Sequence, residues 1–197
     1  MTLATYLTFL RISLIPVMVA AFYLPLEGSG ILAAAIFALA SLTDWLDGYL
    51  ARRFRETTPF GAFLDPVADK LMVVAALLLL VQNYPTPWMA LAAMAIIGRE
   101  IAIVSLREWI ALVGRGERLT VSTSGKIKTT LQMVAITLLL LATEVDRRPL
   151  RLGGGLLLFA AVVMTLWSLW DYLRQIWPLI PLRPSRRKVA GKVVDCQ

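Results

Sequence analysis

Apolar residues along the chain gather into six long blocks, at 7–26, 31–51, 61–82, 88–113, 125–143 and 152–172. A helix needs roughly 20 mostly apolar residues to cross the hydrocarbon core of a bilayer. The pattern therefore predicts an all-α integral membrane protein with six transmembrane helices. The polar stretches between blocks carry turn signals: Leu-Glu-Gly-Ser-Gly at 26–30, Asn-Tyr-Pro-Thr-Pro at 83–87 and Arg-Pro at 148–149. Residues 1–8 are too short and uncharged for a signal peptide, so the first block is expected to remain. No internal repeat is visible. The blocks define one unit over 1–175, followed by a basic tail over 176–197.

Three of the blocks hold charges where lipid should be. The uncharged run 31–43 has only 13 residues and reaches spanning length only with Asp44, Asp47 and Arg52 inside the helix. The fourth block likewise needs Arg99, Glu100 and Arg107, and the third carries Asp65, Asp69 and Lys70 near its start. Ionised groups at such depth are costly and are expected to face a polar cavity or one another. Asp44 and Asp47, three apart, share a helix face, as do Asp65 and Asp69, four apart. A hairpin of the second and third helices brings both pairs to one depth. Four carboxylates together need cations. Two divalent ions balance them, and all-oxygen ligation suits Mg²⁺, with Mn²⁺ or Ca²⁺ as alternatives. Paired metals typically clamp the attacking and leaving oxygens of phosphoryl transfer. Gly48 leaves room for a ligand near the backbone, and Arg52 can bind a phosphate bidentately.

Composition narrows the chemistry. Apolar residues make up 58% and charged residues 17%, with mean hydropathy +0.72. A soluble domain has about 45–50% apolar and about 25% charged residues. The net charge of +7 lies between apolar blocks, which points to lipid headgroups rather than nucleic acid. There is no histidine, which excludes imidazole bases and His-ligated zinc. The only cysteine, Cys196, excludes disulfides within the chain and thiolate clusters. The Lys and Arg at 52–55, 115–128 and 174–188 assign those regions and both termini to the cytoplasmic side. Arg147, Arg148 and Arg151 run against this, diluted by Glu144 and Asp146.

The pattern Asp44-x2-Asp47-Gly48-x2-Ala51-Arg52-x8-Gly61-x3-Asp65-x3-Asp69 resembles the signature of the CDP-alcohol phosphotransferases without a departure. The six-span plan and the N-terminal position of the motif are similar too. The resemblance implies cleavage of a CDP-linked alcohol, release of CMP and transfer of the phosphoalcohol to an acceptor hydroxyl. It implies that Asp44, Asp47, Asp65 and Asp69 bind metal and that Asp69 is also the general base. Gly48, Arg52 and Thr58 match positions near the nucleotide, and Thr8 with Arg11 resembles the family's N-terminal element beside the donor. The family implies a homodimer in the cytoplasmic membrane.

Arg99, Arg107, Lys126 and Lys128 lie at the cytoplasmic ends of the fourth and fifth blocks, and several cations in one pocket call for an anionic acceptor. The fragments Gly98-Arg99-Glu100, Arg107-Glu108 and Ser124-Gly125-Lys126-x-Lys128-Thr129-x2-Gln132 resemble the phosphatidylglycerophosphate-forming branch. There the donor is CDP-diacylglycerol and the acceptor sn-glycerol 3-phosphate. Inositol phosphate or serine as acceptor stays open, and a cation transporter is the alternative from another class.

Blander readings stand beside these. The aspartates can form structural ion pairs with Arg52, Arg53 and Lys70. Arg99 and Arg107 can snorkel to the interface, Lys126 and Lys128 can be positive-inside residues, and Thr8 can be an N-cap. Trp167, Trp170 and Trp177 suit an interfacial belt. The run Gly153-Gly154-Gly155 suits close helix packing or a loosened helix start.

Overall fold

The structure, a computed structural model, describes residues 3–54, 59–112, 124–145, 148–177, 188–189 and 192–193. For residues 3–5, 7, 44–54, 59–63, 65–66, 111, 124–127 and the tail it describes the backbone only. Asp44, Asp47, Gly48, Arg52, Thr58, Asp65 and Lys126 therefore lie outside the described side chains.

Six helices form among the described residues: α1 (Leu3–Tyr23), α2 (Ser29–Phe54), α3 (Pro59–Asn83), α4 (Pro87–Leu112), α5 (Ser124–Glu144) and α6 (Arg148–Ile176). Each coincides with one apolar block, and the ends move by a few residues where local chemistry sets them. At the start of α4, Thr86 Oγ1 accepts from Met89 N at 3.3 Å, and Pro87 follows as the first helical residue. Thr86 is thus the N-cap, and the missing N–H of Pro87 costs nothing there. Thr8 lies inside α1 and is fully buried, so it is not an N-cap. In the tail, β1 (Lys188–Val189) pairs antiparallel with β2 (Lys192–Val193).

Among the described residues, α4 over Pro87–Ile110 and α6 are long and apolar enough to cross a membrane. The helices meet through small residues. Ala33, Ala34, Ala76, Ala92, Ala135 and Ala161 are all buried, which lets backbones approach closely. Met18, Phe37, Leu80, Ile136, Leu140 and Leu158 fill the space between them, each with essentially no exposure. All six belong with Ile96 to one core, to which every one of the six helices contributes. Burial of such side chains contributes about 1.5–3 kcal/mol each relative to water.

Two contacts show how sequence sets the spacing. A Cβ on Gly154 of α6 would stand 2.8 Å from Leu139 Cγ of α5, whereas Gly153 and Gly155 have nothing within 4 Å. Of the three glycines, only Gly154 is required for close packing. At the C-terminal end of α5, Glu144 accepts from Gly28 N at 2.8 Å, Gly30 N at 3.2 Å and Ser29 Oγ at 3.4 Å. Residue 144 therefore caps the start of α2 from another helix. Gly28 turns there with φ of 96°, and a Cβ on Gly30 would collide with Thr143 Oγ1. The amide of Gly28 first, then that of Gly30, holds the Glu144 carboxyl below its ordinary value of 4.5.

Candidate active site

A cavity of about 430 Å³, counting its open mouth, lies where α3, α4 and α5 meet. Its polar lining comes from Asp69 and Lys70 of α3, Glu100 of α4, and Thr129 and Gln132 of α5. Val73, Ile96 and Met133 form part of its apolar wall. Helical spacing explains the split: Val73 follows Asp69 by one turn, Met133 follows Thr129, and Ile96 precedes Glu100 by one turn. Each helix thus passes from polar to apolar along one face.

Glu100 is the electrostatic centre. Its carboxylate pairs with Arg99, stands 3.9 Å from Lys128 Nζ and stands 4.0 Å from Lys70 Nζ. Three cations converge on this one carboxylate, so Glu100 alone does not neutralise them. Lys128 is only 2% exposed, and its Nζ has no hydrogen-bond partner among the described residues. The same holds for Arg99 Nε. Donors left unmade in a buried site cost stability, and an anionic group with several oxygens supplies the missing acceptors.

Asp69 and Glu100 line one cavity, and Arg99 and Lys128 reach it only through their ion pairs with Glu100. Arg107 is exposed two turns along α4 from Glu100 and does not line the cavity; its charge reaches Lys128 nonetheless. Thr8 and Arg11 are buried on α1, at 0% and 2% exposure, and α1 packs on both α2 and α3. Lys70 stands near Glu100. Sequence reasoning did not select Lys70 or Glu100 as site residues. The signal available was a glutamate inside an apolar block, which needs cations beside it.

The donor set fits a hard divalent cation. Asp44 and Asp47 lie toward the end of α2, and Asp65 and Asp69 toward the start of α3. Four carboxylates without sulfur or imidazole match the oxygen preference of Mg²⁺, and Asp69 opens onto the cavity. The described residues alone hold no cluster of three acids, since the other three aspartates lie outside the described side chains.

The model of the CDP-alcohol phosphatidyltransferase family matches residues 1–167. The chain belongs to that family. Members similar to it include proteins named CDP-diacylglycerol–glycerol-3-phosphate 3-phosphatidyltransferase from three bacteria. The Yersinia enterocolitica protein is 46% identical over 177 residues, covering 90% of this chain and 96% of its own. That of Haemophilus influenzae is 48% identical over 169 residues, covering 86% and 90%. That of Pseudomonas fluorescens is 49% identical over 181 residues, covering 90% and 91%. The matched stretch of this CDP-alcohol phosphatidyltransferase takes in all four aspartates and every cation around Glu100.

Proposed function

We propose that the chain transfers the phosphatidyl group of CDP-diacylglycerol to sn-glycerol 3-phosphate, giving phosphatidylglycerophosphate and CMP. The observation that carries this reading is the surplus of positive charge around Glu100, beside Asp69, in a chain similar over nine-tenths of its length to enzymes of that name. A phosphate monoester carries nearly two negative charges at neutral pH, which the cations converging on Glu100 complement. Family membership takes the place of the transporter alternative.

In this mechanism Asp44, Asp47, Asp65 and Asp69 hold divalent metal, two Mg²⁺ ions by charge balance. A divalent metal held by these carboxylates would neutralise the pyrophosphate and make its phosphorus more electrophilic. Thr8, Arg11, Gly48, Arg52 and Thr58 hold the CDP end of the donor. Arg99 and Lys128, with Lys126 and Arg107, hold the acceptor phosphate. Asp69 accepts the proton of the acceptor 1-hydroxyl. That oxygen bonds to the phosphorus bearing diacylglycerol, the bond to CMP breaks, and CMP leaves with the electron pair. No covalent enzyme intermediate is required.

The same reading has six helices crossing the cytoplasmic membrane with both termini inside, and two chains in a homodimer. The spans are supported by the apolar length of α4 and α6, and their orientation by the Lys and Arg distribution. Exposed Trp167, Trp170 and Trp177, with the Arg174 guanidinium 5.1 Å from the Trp170 ring centre, suit the headgroup boundary.

The test is purified protein with CDP-diacylglycerol and a panel of acceptors, scoring CMP and lipid product. Product is expected from glycerol 3-phosphate, not from glycerol, serine or inositol phosphate. Chelation of divalent metal should abolish it and Mg²⁺ restore it. Efficient turnover with glycerol or serine removes the phosphate-acceptor assignment; full activity in chelator removes the metal assignment.

A further inference from the structure

Glu100 is an acid at the centre of a pocket built for an anion. A fixed carboxylate repels a phosphate, so a site optimised only for tight binding would leave it out. Yet the carboxylate of Glu100 is where Lys70, Arg99 and Lys128 converge. Its distances to the two lysines, 4.0 and 3.9 Å, are too long for hydrogen bonds. Glu100 therefore neutralises Lys128 without filling its donors, and Lys128 Nζ stays buried with no hydrogen-bond partner among the described residues. The side chain of Glu100 is itself 26% exposed and lines the open cavity, so it has somewhere to go.

We propose that Glu100 is a displaceable counter-ion: with the pocket empty, its carboxylate stands where the acceptor's anionic head will stand, and the incoming phosphate takes Lys70, Arg99 and Lys128 from it. This rests on the acceptor reading above. Attraction to fixed cations scales with the charge of the anion. A dianion outcompetes a single carboxylate, whereas a monoanion only exchanges with it at no gain. The cost of displacing Glu100 is the same for either anion, so Glu100 lowers the affinity for both, and the cations themselves set the preference for the dianion. Glu100 also returns to the cations as the phosphate-bearing product departs, which keeps the pocket from holding product. Glu100 is a positioning residue, acting through the three cations and not on the reacting atoms.

The experiment compares wild type, Glu100→Gln and Glu100→Asp as full chains in detergent. Inorganic phosphate binding is measured by calorimetry in metal-free buffer, with glycerol 3-phosphate as competitor to locate the site. Steady-state constants are measured for both substrates. Glu100→Gln keeps the shape and removes the competing charge. It is expected to tighten phosphate binding roughly five- to tenfold, about 1–1.4 kcal/mol by the affinity relation. KM for glycerol 3-phosphate falls in parallel while KM for CDP-diacylglycerol stays the same. Glu100→Asp, charged but one methylene shorter, tightens binding by less. Phosphate binding that is unchanged or weaker in Glu100→Gln overturns the proposal, because the carboxylate then props the cations in place. If Glu100→Gln does not fold, the same outcome in Glu100→Asp decides. Wild type that binds phosphate but makes no lipid from glycerol 3-phosphate defeats the proposed function instead, and the phosphate comparison still reads the role of Glu100.

Discussion

Lys128 is a side chain whose burial is hard to justify by stability. It is 2% exposed, stands among the charges of Arg99, Glu100 and Arg107, and gives its Nζ protons to no described acceptor. A buried ammonium without hydrogen bonds is a liability to the fold. Lys128→Met keeps the apolar stem and removes the charge. The melting temperature in detergent is expected to hold or rise. KM for glycerol 3-phosphate should increase roughly 10- to 150-fold, as for loss of one charged hydrogen bond of about 1.5–3 kcal/mol. A lowered melting temperature with an unchanged KM would make Lys128 a structural residue. At this scale the sequence was informative about acids and less so about their partners. Asp69 stands out because a carboxylate in an apolar block is rare. That Glu100 gathers Lys70 from α3 and Lys128 from α5 depends on how three helices are rotated against one another, which spacing along one helix does not encode. Arg107 shows the same limit: its charge marked it, but its helical position leaves it exposed on α4.

All six helices were readable as elements, because length and apolarity alone mark them. Their ends were less so. α1 begins at Leu3 and α6 at Arg148, both earlier than the apolar blocks, since polar residues continue a helix once it is nucleated. The glycine run in α6 separates what sequence left together. Gly154→Ala drives a methyl into Leu139, itself 2% exposed. Overpacking of that kind costs about 1–3 kcal/mol. Gly153→Ala meets nothing within 4 Å and gains up to about 1 kcal/mol of helix propensity. Thermal unfolding in detergent is expected to rank Gly153→Ala at or above wild type and Gly154→Ala below it. Equal melting temperatures for the two variants would mean that α5 and α6 separate enough to absorb the methyl.

Across the whole molecule, the contact least visible in sequence ties residue 144 to the turn before α2. Glu144 is depressed in pKa by the Gly28 and Gly30 amides, so its sign is fixed. The stabilisation is fully present above the ordinary glutamate value of 4.5. It is lost as pH falls through the lower, folded-state value. Glu144→Gln should therefore melt below wild type at neutral pH, and the gap should close on acidification. A gap independent of pH would show that the carboxylate charge is not what caps α2. The same contact has a bearing on biosynthesis. Its two halves are 116 residues apart, and a ribosome adds roughly 5–20 residues per second. The amides that open α2 are synthesised roughly 6–23 s before their carboxylate exists. Over that interval water must serve them. The first two helices are made with the turn between them unlocked, and the latch closes only when the fifth helix arrives.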